Sequence, residues 1–537
     1  RIGMKETIRK LVADNNQIYI FTSRIKTDES GFLGKMMRCF FKLWLKNEKI
    51  NPIISLDYPD PDVIRVGDTY YMVSTTMHFF PCCEILRSYD LVNWEHAVYV
   101  CDTLDNTPAQ RLEEGNIYGQ GMWAACIRYN NGKYYVCFSC NDTHKTYLYT
   151  TEDIYGKWEK STIEGFYHDC SLLFDDDERV YIVYGNREIW LTELSDDLSA
   201  PKKNGLHRRI VFDKDNKVLG YEGSHIYKIN GRYYVFFIHS RPDRWLRCEA
   251  CFSSDSLEGE FTGGDCLEDT MGYCGQGVAQ GGIVDTPDGK WYAILFQDRG
   301  AVGRIPVLIP VSWDNDRPIF GENGKIPESF EIPTAKAGYC YAPLTSSDDF
   351  KGEKLSPCWQ FNHQPDKEYY SLNPQKGCYR ITSGRLCSDI LHAKNTLTQR
   401  MTYPRCTAIV TINTKGLKNG DAAGICALQG CYAWIGASVR DGAKFIEMDS
   451  MREDGTVITE SIPLDADFLT VGISADFENM KDEAVLFYIE NGERKQLGGK
   501  HKLYFKLDHF TGCRAGLFVY STESAGGYAE FSEFVMK

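Results

Sequence analysis

Three carboxylates in this chain of 537 residues stand at one phase of an internal repeat: Asp60, Asp169 and Glu222. Acidic side chains far apart in sequence that converge in one cleft suit cleavage of a glycosidic bond. One can protonate the departing oxygen while another works on the opposite side of the sugar ring. A single Asp at a strand start is a common turn residue and carries little weight. Three at the same phase, in three repeats, carry more.

The repeat that positions them is a turn followed by a tyrosine-containing pair. It occurs as Gly67-Asp68-Thr69-Tyr70-Tyr71, Asn131-Gly132-Lys133-Tyr134-Tyr135, Asp177-Glu178-Arg179-Val180-Tyr181, Asn230-Gly231-Arg232-Tyr233-Tyr234 and Asp288-Gly289-Lys290-Trp291-Tyr292. Each copy lies between β-type apolar runs, as Ile226-Tyr227-Lys228-Ile229 and Val235-Phe236-Phe237-Ile238 show. Such turns between such runs are hairpin signals. Their spacing of roughly 45–65 residues is that of a four-stranded blade, so five copies predict a five-bladed β-propeller. Counting back ten or eleven residues from each pair gives Asp60, Trp123, Asp169, Glu222 and Gln280. These positions precede the apolar runs of the innermost strands and should meet at one end of the central channel.

The remaining chain completes an all-β reading. Residues 1–50 fall outside the repeat and read as an N-terminal extension, 51–320 as the propeller, 321–345 as a linker, and 346–537 as a β-sandwich. The last assignment rests on regular short strands with Gly and Asn turns. A net charge of −14 argues against a nucleic-acid partner, which needs a basic face. No stretch has the length of a membrane span. The apolar segment Phe32 to Leu45 is broken by Lys35, Arg38 and Lys42 and reads as part of the extension.

Two CxxC pairs, Cys137/Cys140 and Cys248/Cys251, lie on strand-like runs. There, positions three apart face opposite sides and cannot easily grip one zinc. The twenty cysteines are therefore expected to be buried, reduced thiols, which suits a cytoplasmic protein. The start Arg1-Ile2-Gly3-Met4 leaves an export signal upstream open.

The motifs resemble glycoside hydrolase family 43. They are Tyr58-Pro59-Asp60-Pro61-Asp62-Val63-Ile64, Gly121-Met122-Trp123-Ala124, His168-Asp169-Cys170-Ser171-Leu172 with Asp175-Asp176-Asp177, and Tyr221-Glu222-Gly223-Ser224-His225. Ala279-Gln280-Gly281-Gly282 and Gly300-Ala301-Val302-Gly303-Arg304 are similar to its two-domain β-xylosidase and α-L-arabinofuranosidase members. Asn395-Thr396-Leu397-Thr398-Gln399-Arg400 and Gly420-Asp421-Ala422-Ala423-Gly424 resemble their accessory sandwich. The resemblance covers Asn51 to the C-terminus.

It implies an inverting, exo-acting hydrolase of xylo-oligosaccharides or arabinoxylan fragments, with Asp60 as general base, Glu222 as general acid and Asp169 as the residue that tunes the acid. The acid must carry a proton at neutral pH, which an Asp169 anion would favour by like-charge repulsion. Trp123 would form a sugar platform, and Arg304 would hold a hydroxyl or the carboxylates. Gln280 would line the pocket, and Met77 and Phe79 of Met77-His78-Phe79-Phe80 would wall it. Many relatives carry a histidine at the position of Ala279, sometimes associated with a cation. Alanine offers no ligand, so no cofactor and no metal are expected, and a structural calcium lacks a ligand motif. The reading leaves room for a homo-oligomer. A carbohydrate-binding propeller without catalysis is the alternative from another class. An invertase-type retaining enzyme is disfavoured, because Arg241-Pro242-Asp243 and Glu222-Gly223 stand where that type would need other motifs.

Overall fold

The computed structural model describes residues 49–537, and the extension expected over 1–50 lies almost wholly outside them. Asn51–Pro327 and Ile332–Lys537 form one compact unit. Among the described residues there is no α-helix, only short 3-10 turns.

Five four-stranded antiparallel sheets make the propeller. Their innermost strands are Asp62–Val66 in blade I, Met122–Asn130 in blade II, Ser171–Phe174 in blade III, Glu222–Ile229 in blade IV and Val278–Asp285 in blade V. Each repeated turn joins the first strand of a blade to its second, as the spacing predicts. Asn131-Gly132 and Asn230-Gly231 have both central residues at positive φ, the backbone twist that suits a two-residue hairpin. Apolar clusters fill the spaces between neighbouring blades, Tyr71–Val136 between I and II and Tyr234–Leu295 between IV and V among them. The ring closes where residues 51–58 run beside the third strand of blade V: Tyr58 N donates to Arg304 O and Ile53 N to Pro306 O.

The axis below the candidate site is packed with charge. Arg128 of blade II donates to Asp62 of blade I at 2.6 Å, to Leu172 O and Ser171 Oγ of blade III, and to Ile226 O of blade IV. His225 Nδ1 lies 3.0 Å from the other Asp62 oxygen. Burial works against the Asp62 charge, but Arg128 and His225 outweigh it and hold that carboxyl at about 2. Through Arg128, the buried acid is tied to groups from four blades.

Two eight-stranded sheets form the C-terminal sandwich, with a continuous aliphatic core between them. The edge strand of one sheet comes from the propeller: Phe79–Phe80, inserted in blade I, pairs with Gln360–Asn362. The boundary expected near residue 320 is therefore crossed by a strand from the other domain. Arg400 of the sandwich donates to Glu84 at 2.9 Å and to the Tyr58 hydroxyl, with both charged side chains nearly excluded from water. The expected linker runs along blade I, where Tyr339 donates to Glu95 and Tyr89 N donates to the Tyr341 hydroxyl. Among the described residues the expectation of buried, reduced thiols fails in two ways: Cys274 and Cys340 are exposed, and Cys82 and Cys101, on neighbouring strands of blade I, form a disulfide. Two cross-strand cysteines are close enough to bond, which spacing in sequence does not reveal.

Candidate active site

The five equivalent positions start their strands with one shared device. Asp60, Asp169 and Gln280 have positive φ, and so do Ala124 and Gly223, the residues after Trp123 and Glu222. A left-handed residue at a strand entry turns the side chain towards the channel mouth at a cost of order 1 kcal/mol for a non-glycine. At Gly223 φ is +65°, and a Cβ would lie 2.6 Å from Gln280 Cδ, so any other residue would have to push that side chain aside. That contact also shows where Gln280 sits, against the turn that carries Glu222.

Asp60 is buried and held by two donors, Arg304 Nη1 at 2.8 Å and Thr75 Oγ1 at 2.6 Å. Thr75 Oγ1 in turn accepts from Ala124 N, tying the Trp123 turn to the acid. Arg304 is 2% exposed, and its Nε and Nη2 have no hydrogen-bond partner among the described residues. A guanidinium that spends one nitrogen on Asp60 keeps others for a sugar hydroxyl.

Across the mouth, Asp169 and Glu222 flank His168, whose Nε2 is 3.6 Å from each carboxylate. Gly223 N donates to Asp169 and Asn186 Nδ2 to Glu222. Burial pushes Asp169 up, with the negative charges of Glu222 and Asp60 adding and His168 and the Gly223 amide opposing, to about 7. Burial disfavours the His168 cation, but Asp169 and Glu222 outweigh it and raise His168 to about 9. Asp169, expected as a fixed anion, is instead drawn towards its neutral form, chiefly by its burial.

Residues 50–318 match the model of glycosyl hydrolases family 43, and 347–537 match the β-xylosidase C-terminal concanavalin A-like domain. The chain belongs to glycoside hydrolase family 43. It is an inverting glycoside hydrolase. A β-xylosidase of Formosa agariphila is 27% identical, over 90% of this chain and 89% of that protein. A non-reducing end α-L-arabinofuranosidase of Bacteroides ovatus is 26% identical, over 65% of this chain and 68% of that protein. The structure of a bifunctional GH43-CE protein of Bacteroides eggerthii is 40% identical with a TM-score of 0.85; it covers 92% of this chain, which spans 64% of that protein's length.

Within this family-43 propeller the remaining expected residues divide. Trp123 is half-buried beside His168, with ring centroids 6.2 Å apart. Phe79 is not a pocket wall. It is 1% exposed, lies under the Arg514 guanidinium and packs with Trp434 and Phe518 of the sandwich. Met77 is also 1% exposed, with its backbone bridged to Met122, and supports the Trp123 turn from beneath.

The aromatic wall comes instead from the sandwich. Phe510, half-buried, stands 5.5 Å from Trp123 and under the Arg304 guanidinium at 4.3 Å. Asp57 anchors its loop by accepting from Gly512 N and Arg304 N. Phe510, His168, Asn186 and Thr75 were not singled out from sequence. For His168 a signal existed, its place beside Asp169 in a matched motif; for Phe510 there was none.

The axial position of Ala279 does not fit a cation. Ala279 is packed among Ile238 and Phe296, and Asp62 is already engaged by Arg128 and His225.

Proposed function

We propose that this family-43 enzyme releases terminal pentoses, β-linked xylose or α-linked arabinofuranose, from xylo-oligosaccharides or arabinoxylan fragments. The observation that carries the reading is the split of the acidic groups: Asp60 alone with Arg304 on one side, and Asp169 with Glu222 around His168 on the other. Asp60, accepting two hydrogen bonds as a carboxylate does, takes a proton from the attacking water. Glu222, oriented by Asn186, delivers a proton to the leaving oxygen. Asp169 and His168 hold the charge beside it, so the proton that Glu222 gives up can be replaced locally.

The pocket mouth supports action at chain ends. Trp123 and Phe510 narrow it from the propeller and the sandwich, and Arg304 lies beside Asp60 to take a terminal hydroxyl. The named relatives support both pentoses, being a β-xylosidase and an α-L-arabinofuranosidase. The chemical step in this reading needs no cofactor, since every charge in the site has a protein counter-charge or donor. The other described cysteines remain free, which supports a reducing compartment despite the Cys82–Cys101 bond.

The test uses nitrophenyl β-xyloside and nitrophenyl α-arabinofuranoside with the wild type, Asp60→Asn and Glu222→Gln. Turnover of one or both substrates, with kcat reduced about 10²–10⁴-fold in each variant, is expected. The first sugar released should have inverted configuration. Wild-type inactivity on both substrates, or retained configuration, would sink the proposal.

A further inference from the structure

Away from the catalytic carboxylates, at the rim of blade IV, His239, Cys248 and Asp265 bring one nitrogen, one sulfur and one oxygen within 4.8 Å of one another. Their convergence follows from register. His239 faces Cys248 across the second and third strands, and Ala250 faces Asp265 across the third and fourth. Residues two apart share a face, so all three side chains rise from the same side of the sheet. His239 Nε2 is 2.7 Å from an Asp265 oxygen. Glu268, just past the fourth strand, brings Oε2 to 3.9 Å from the Cys248 sulfur.

Most buried cysteines here line apolar clusters, as Cys251 does between blades IV and V. Cys248 is fully buried yet faces an imidazole and two carboxylates. A thiol acting as a small hydrophobe has no reason to sit in that company.

We propose that His239, Cys248 and Asp265, with Glu268 as fourth ligand, form a binding site for a thiophilic divalent cation of the zinc class. Nitrogen, sulfur and carboxylate donors at four positions suit zinc, whereas calcium and magnesium take oxygen alone. The CxxC pair that contains Cys248 is not the ligand set, since Cys251 faces the other side; the partners are across the strands. Arg241 lies 3.6 Å from Asp265 and 3.4 Å from Glu268, where it orients both carboxylates from outside. The site staples three strands of blade IV. The His239 ring also packs on Tyr221, the residue before Glu222, at 4.8 Å, which braces the strand start that carries the acid.

The test titrates the chelator-stripped full chain with Zn²⁺ and with Co²⁺. One zinc per chain should survive gel filtration, and cobalt should show a thiolate-to-metal absorption band. Cys248→Ser and Asp265→Asn, the second at an exposed side chain, should each lose the band and weaken zinc binding about tenfold or more. Glu222→Gln should keep both signals, which separates this site from the His168–Asp169–Glu222 cluster. Zinc binding that persists undiminished in either rim variant, or a wild type that retains none, overturns the proposal and leaves an Arg241-centred ion network.

Discussion

Burial, Glu222 and Asp60 all favour the neutral form of Asp169, and the site pays for keeping it charged. Its folded value of about 7 is above the ordinary 3.8. Such a group contributes stability that is fully present below the unfolded value and is lost as pH rises through the folded one. Asp169→Asn removes the charge at every pH. The variant's thermal midpoint is therefore expected to gain on the wild type as pH is raised from about 4 to about 8. A gap between the two that stays constant over that window would remove the charge argument. His168 has the same sign: raised to about 9, it adds stability below its ordinary 6.5 and loses it through 9. At the residue scale the three carboxylates were legible because their phase is a property of the local repeat. The role of His168 was not, because it depends on the gap between two strands.

The strand entry and the sandwich loop are the elements that build the mouth. Five left-handed positions turn five side chains inward, and the phase of the hairpins predicts where they fall. The Phe510 loop has no counterpart in that logic. Its wall is made by a segment about 190 residues beyond the end of blade V at Phe320, held by Asp57. Phe510→Ala is expected to raise KM for the nitrophenyl pentosides about tenfold with little change in unfolding midpoint, since the ring is half-buried at the mouth. Unchanged KM would mean that the ring does not touch the sugar. Phe79 shows the converse limit. An apolar run beside a pocket motif looks the same in sequence whether it lines a sugar site or lies under another domain.

Propeller and sandwich form one compact unit because they share a sheet and a buried ion pair. Removing Arg400 would leave buried Glu84 with only His96 and the Tyr58 hydroxyl beside it, so Arg400→Ala is expected to cost about 3 kcal/mol in denaturant unfolding. A loss below 1 kcal/mol would show that water reaches Glu84. Residues 51–320 made without the sandwich should be inactive, since they lack Phe510 and leave the Phe79–Phe80 strand without its partner. The blade count, the hairpin turns and the alignment of Asp60, Asp169 and Glu222 could be read from the chain because they arise from short-range pattern: turn chemistry and a period-two apolar alternation. The sharing of charge around His168, the sandwich's part in the pocket and the cross-strand cluster at Cys248 could not, and the Arg304 hold on a carboxylate was implied only by resemblance. They depend on which distant segments the fold brings within a few ångströms and on how far it removes them from water.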